Sequence, residues 1–197
     1  MQYREDKASG NMLSALGFGC MRFPRDKAET ERMILSAIDG GVNFFDTAYA
    51  YQNSEVTLGE IIAKHNKRKD IYIATKLPYI LCKNADDFDK YFNEQLRRLQ
   101  TDYVDYYFIH GLSDYAGWDV LRKMNIEHWI AEKRESGKIK HIGFSLISAL
   151  VVFFMNPMEI GWAMTFVWFA IILVVVAVLG FLLVSFDRVH GRKATAI

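Results

Sequence analysis

The stretch Gly41-Val-Asn-Phe-Phe-Asp-Thr-Ala-Tyr-Ala-Tyr51 decides how the chain is read. Val42 to Phe45 is a short apolar run behind a Gly-Gly pair, the pattern of a buried strand. That strand closes on an ionisable residue, Asp46, and a turn-like segment then carries Tyr51. Two later runs close the same way. Ile71-Tyr-Ile-Ala-Thr-Lys76 ends on Lys76, and Tyr103-Val-Asp-Tyr-Tyr-Phe-Ile-His110 ends on His110. These ends are roughly 30 and 34 residues apart, the length of one strand-plus-helix unit. Parallel, adjacent strands would set Asp46, Lys76 and His110 side by side on the carboxyl edge of one sheet, where barrel and doubly wound folds place their chemistry. Taken singly, each residue is most simply an ion pair or a satisfied core histidine. Three in phase, with a tyrosine within reach, point to a site.

Working outward, the 197 residues fit one domain, and the formal net charge of +1 gives no footprint for nucleic acid. Cys20 and Cys82 form no CxxC and have no histidine at ligand spacing. That excludes a disulfide framework or a cysteine-based metal site, and fits a reducing compartment. The polar start, Met1-Gln-Tyr-Arg-Glu-Asp-Lys7, does not read as a secretory leader. Charge is divided unevenly. Nearly all of it lies before about residue 141, and the next 45 or so residues are almost uncharged.

In chain order, Ser9-Gly-Asn11 marks a turn, allowing a short hairpin, and Leu16 to Phe23 reads as the first barrel strand, with Gly17 and Gly19 allowing close backbone approach. A helix over 30–39 places Met33, Ile34, Ala37 and Ile38 on one face and stops at Gly40-Gly41. A second helix over 54–66 has Ser54 as its cap and Glu55 at its positive start. A third over 84–100 has Asn84 and Asp87 as a capping box and a face of Phe88, Tyr91, Phe92, Leu96 and Leu99. A helical region over 118–136 leads to a fifth strand, Lys138 to Ser145. Ser145 then ends that strand level with Asp46, Lys76 and His110. Five strands alternating with four helices at one repeat length imply a parallel α/β sheet, and favour a (β/α)8-type barrel over a doubly wound one.

Taken together, these residues resemble the aldo/keto reductase family. The likeness rests on Leu16-Gly-Phe-Gly-Cys-Met21, Phe45-Asp-Thr-Ala-Tyr-Ala-Tyr51, Asn53-Ser-Glu55 with Leu58-Gly-Glu60, Ala74-Thr-Lys76, the Tyr103–His110 run and Gly137 to Ser145, and covers roughly residues 12–145. The start of the chain is especially similar to a bacterial branch that carries a C-terminal iron–sulfur module, though the matching cysteines are missing here. The resemblance implies an NADPH-dependent carbonyl reductase acting on a small carbonyl substrate. Tyr51 would be the general acid, Lys76 paired with Asp46 would make it acidic enough to act, and His110 would orient the carbonyl. Gly19, Cys20, Met21, Asp46 and Ser145 would hold the cofactor. The residue chemistry agrees: a free tyrosine titrates near pKa ~10, and a cation at hydrogen-bond distance stabilises the phenolate. The hydride must come from a cofactor, because no side chain donates one.

After Ser145 the resemblance stops. The family continues with three more strand–helix units and holds the adenosine phosphate on loops after its last two strands. Instead, Gly161 to Phe186 contains no charged residue. About 25 helical residues would span roughly 38 Å, more than the ~30 Å hydrocarbon core. Trp162 and Trp168 lie toward one end, and Arg188, Arg192 and Lys193 follow the other. The expected architecture is thus a partial (β/α)8 TIM barrel of about five βα units over 1–145, followed by a membrane segment over 146–197 with a transmembrane helix at about 162–186. The lipid bilayer becomes a partner, and five strands leave an open sheet edge through which copies could associate. The reductase-like part would lie in the cytoplasm, while the basic tail favours a cytoplasmic C-terminus; one span cannot satisfy both, so Leu146 to Met155 reads either as a short first pass of a hairpin or as an interfacial segment. Two functional readings stay open: a membrane-anchored reductase, and a truncated or fused reductase fragment acting, if at all, as a small membrane-anchored interaction protein.

Overall fold

The computed structural model describes residues 1–112 and 114–145. A two-stranded antiparallel hairpin, β1 (Tyr3–Glu5) and β2 (Met12–Ser14), comes first. Then follow β3 (Phe18–Gly19), α1 (Lys27–Asp39), β4 (Phe44–Asp46), α2 (Ser54–Lys64), β5 (Tyr72–Leu77), α3 (Asp86–Leu99), β6 (Val104–Ile109), α4 (Tyr115–Lys123), α5 (Ile126–Glu135) and β7 (Ile139–Phe144). β3 to β7 make one sheet in sequence order, every neighbouring pair parallel. This is the expected α/β alternation. The transmembrane helix expected at 162–186 lies outside the described residues; among those described, no helix is long and apolar enough to cross a membrane.

Successive side chains on a strand point to opposite faces of the sheet. On the helix-covered face, Phe45, Ile73, Leu77, Tyr107 and Ile109 are fully buried with Ile34, Leu58, Ile62, Phe88, Phe92 and Leu99. Phe92 packs edge-on against both Tyr107 and Trp129, at 5.1 and 5.6 Å between ring centroids. Each such side chain contributes about 1.5–3 kcal/mol on burial. Of the apolar face expected on α3, Phe88, Phe92, Leu96 and Leu99 are buried, while Tyr91 turns out to meet Tyr49. On α1, Met33 is exposed and Thr30 takes its place inside.

The caps follow local chemistry. Asp26 accepts the Ala28 N–H and starts α1 three residues before the expected Thr30. The expected α3 box is half formed: Asn84 Oδ1 accepts the Asp87 N–H, but the Asp87 carboxylate takes the Lys83 N–H instead of that of Asn84. The region expected as one helix over 118–136 is two helices, broken where Asn125 adopts a left-handed φ of 62°, a conformation asparagine tolerates better than most residues.

Two glycines are required by packing. Gly41 sits at φ +88°, and an added Cβ would fall 2.7 Å from the Tyr3 hydroxyl, which donates to the Gly41 carbonyl at 2.9 Å. Gly59 lets α2 press against the end of α3: its Cβ would lie 2.3 Å from the Arg98 carbonyl oxygen and 2.6 Å from the Leu99 carbonyl carbon. Backbone cannot swing aside as a side-chain tip can. Gly59→Ala should therefore lower stability by about 1–3 kcal/mol, read as a shift of the denaturant midpoint of the full chain; an unchanged midpoint would mean that the two helices are not held at this distance.

Candidate active site

The face of the sheet opposite the helices carries the chemistry. Phe44 and Asp46 of β4, Tyr72, Ala74 and Lys76 of β5, and Tyr106 and Phe108 of β6 share it by alternation. Its lower layer is aromatic. Tyr106 packs against Phe44 at 5.4 Å and His141 at 5.1 Å. The Tyr106 hydroxyl contacts Asp6, Ser9 and Asn11 from the hairpin. The hairpin loop thus caps the amino end of this face with satisfied polar groups.

The upper layer is the site. Lys76 Nζ donates to Asp46 Oδ1 at 2.5 Å and to the Thr47 carbonyl at 2.8 Å. Its side chain is only 5% exposed, so the ammonium is fixed by two acceptors and not by water. The same Nζ lies 4.9 Å from the centroid of the Tyr51 ring. The His110 ring stands edge-on to Tyr51, at 5.6 Å and 90°. All four residues expected from the sequence therefore meet at the carboxyl edge. Burial and the Lys76 charge both lower the pKa of His110, with Asp46 opposing them. The imidazole is neutral at neutral pH, with one N–H to donate.

The expected cofactor residues lie on the same edge. Gly19 pairs with Asp46 across the β3–β4 ladder, and the space where its Cβ would be is open. Met21 is exposed, and the Ser145 N–H donates to the Ile109 carbonyl directly after β7. Cys20 differs from these. Its side chain is fully buried, its N–H donates to the Asp46 carbonyl at 2.8 Å, and its carbonyl accepts from Ser54 Oγ at 2.6 Å. Burial, reinforced by the Asp46 charge, pushes its thiol well above the usual range, with Lys76 opposing. Cys20 thus supports the loop through its backbone. A cleft of about 650 Å³ opens beside Tyr51, between the β3–α1 and β4–α2 loops. Depressions around Arg68 and around Tyr91 contain none of the four central residues.

Three groups support the site in roles that the sequence reading did not assign them. The Thr47 carbonyl is the second acceptor for Lys76. Ser54, expected as a helix cap, instead joins Thr47 Oγ1 at 2.7 Å to the Cys20 carbonyl. Glu55 is 1% exposed behind the site, accepting from Thr75, Gln95 and Arg98. Burial raises its pKa against the pull of those donors. Gln95 also donates to the Lys76 carbonyl at 3.0 Å, tying this cluster to the strand that bears Lys76.

The aldo/keto reductase family pattern matches residues 15–173. The chain belongs to the aldo/keto reductase family. The match runs past Ser145, where the sequence motifs ended, and into the apolar run. An uncharged run does not by itself distinguish a buried element of an α/β barrel from a membrane span. "Aldo-keto reductase yakc [NADP(+)]" of Schizosaccharomyces pombe is 29% identical over 73% of this chain and 45% of its own length. An aldo-keto reductase of Mycolicibacterium smegmatis is 32% identical over 69% of this chain and 47% of its own. The holo form of an aldo-keto reductase from Bacillus halodurans superposes with a TM-score of 0.63 at 30% identity, over 77% of this chain and 52% of that one. The chain thus spans about half the length of the relatives it matches.

Two outcomes check the site. The His110 ring, followed by proton NMR across pH, should titrate below 6.5. Its midpoint should rise in Lys76→Met, which removes a lowering charge, and fall further in Asp46→Asn, which removes a raising one. Lys76→Met should also cost about 1–3 kcal/mol of stability, because Asp46 and the Thr47 carbonyl lose their donor; chemical denaturation measures it.

Proposed function

We propose that the chain is an NADPH-dependent carbonyl reductase held at a membrane. The observation that carries the proposal is the placement of one buried cation, fixed by Asp46 and the Thr47 carbonyl, against the Tyr51 ring, with His110 edge-on to the same ring. Tyr51 gives its proton to the carbonyl oxygen as the alcohol forms, and Lys76 supplies positive charge to the phenolate left behind. Neutral His110 donates its N–H to the same oxygen and sets its direction. Asp46 keeps Lys76 in place and charged.

A nicotinamide cofactor, when bound, supplies the hydride that no side chain can. The open space at Gly19, exposed Met21 and the neighbouring Asp46 and Ser145 fit its reactive end. The NADP(+) in the name of the fission yeast relative supports NADPH. The apolar composition of 161–186 and the basic residues after it support membrane attachment; we place the reductase part in the cytoplasm on the reductase reading itself and not on those basic residues. Among the described residues β7 is paired on one side only, and we read its outer edge as the place where a second copy could pair. That five-strand sheet also favours a second reading, in which a reductase-derived fragment works only as a membrane-anchored interaction protein.

Tyr51→Phe in the full chain should lower carbonyl reduction by about 10²–10⁴-fold, measured as NADPH oxidation with an aldehyde, while the fold is kept. Equal turnover by the variant would remove Tyr51 from its role. The full chain should sediment with membranes and resist alkaline carbonate extraction; release into the supernatant would contradict membrane attachment.

A further inference from the structure

The cleft beside Tyr51 is basic on one wall. Arg22 and Arg25 sit on the loop between β3 and α1, and Lys27 opens α1. Facing them, the β4–α2 loop presents Tyr51, Gln52 and Asn53. Among the described residues no aspartate or glutamate lines this cleft. Asp26, the acid closest in sequence, spends its carboxylate on the Ala28 N–H at 2.9 Å. Lys27 reaches Glu60 only at 3.7 Å, with both side chains well exposed. Among the described residues Arg22 and Arg25 enter no ion pair.

The loop that bears the two arginines is held down. Phe23, between them, packs on Phe18 at 6.5 Å, and the Pro24 carbonyl accepts from buried Thr30 Oγ1 at 3.3 Å. The guanidinium groups are therefore carried on an anchored segment whose chain positions are set, which limits the ordering cost of using them.

We propose that this wall selects carbonyl substrates that carry a second, anionic group, a carboxylate or a phosphate. The anion would rest on Arg22 and Arg25 while the carbonyl reaches Tyr51. This rests on the reductase reading and adds the substrate class to it. Guanidinium groups pair carboxylates and phosphates through two parallel N–H donors, so geometry is selected as well as charge. Exposed pairs of this kind are individually weak. Two or three acting together predict a preference of about tenfold, weakened by salt.

The test is a titration of the full chain in mild detergent with 4-carboxybenzaldehyde and with benzaldehyde, read by ligand-observed NMR without cofactor. The carboxylated aldehyde should bind about tenfold more tightly. Arg22→Gln/Arg25→Gln should abolish that preference, and so should raising the salt, which needs no substitution. Equal binding, no binding, or a preference that survives both changes would overturn the proposal. So would loss in the double variant of discrimination between NADPH and NADH with the aldehyde preference intact, which would give the arginines to the cofactor phosphate. Turnover with NADPH is measured in parallel. A carboxylate preference without turnover would keep the anion site and contradict the reductase reading; turnover without the preference would do the reverse.

Discussion

The contact on which the site depends is the one between Lys76 and Asp46. An ammonium with 5% of its side chain exposed has lost nearly all of its water, and a buried charge of this kind persists only with compensating acceptors. Asp46 and the Thr47 carbonyl provide them, from the strand end next to its own. Because β4 and β5 are parallel and in register, the pair forms at the carboxyl edge and nowhere else. The same edge then collects Tyr51 from the loop after Asp46 and His110 from the end of β6.

The rest of the fold holds that edge still. Behind the sheet, Glu55, Gln95, Thr75 and Tyr107 form a buried hydrogen-bonded cluster that reaches the Lys76 carbonyl. Gly59 allows α2 and α3 to close over it. In front, the hairpin caps the amino end through Tyr106, leaving the chemistry at the opposite edge. The positions of Asp46 and Lys76 are thus fixed by strand pairing, and their surroundings by groups from α2, α3, β5, β6 and the hairpin.

The strand ends were legible in the sequence because an ionisable residue closing an apolar run is rare, and three such runs at one spacing leave few alternatives to a parallel sheet. Tyr51 was legible from its place in the loop five residues after Asp46. What supports them was not. A backbone carbonyl such as that of Thr47 carries no residue-type signal. Glu55 looks from sequence like an ordinary first-turn acid, and only the fold shows that it is buried beside Arg98. The break at Asn125 is hidden because apolar spacing continues across it. Nothing in the sequence set Arg22 and Arg25 apart; the cleft places them beside Tyr51. The apolar run after Ser145 was legible as uncharged, but the family match shows that the family and membrane readings overlap there.

The most direct measurement is NADPH binding to the full-length chain in mild detergent, followed by energy transfer from protein tryptophan to the reduced nicotinamide. A site built around Asp46, Tyr51, Lys76 and His110 for hydride chemistry predicts saturable binding. No detectable binding would contradict it, and would leave the Lys76–Asp46 pair as a structural inheritance without its chemistry.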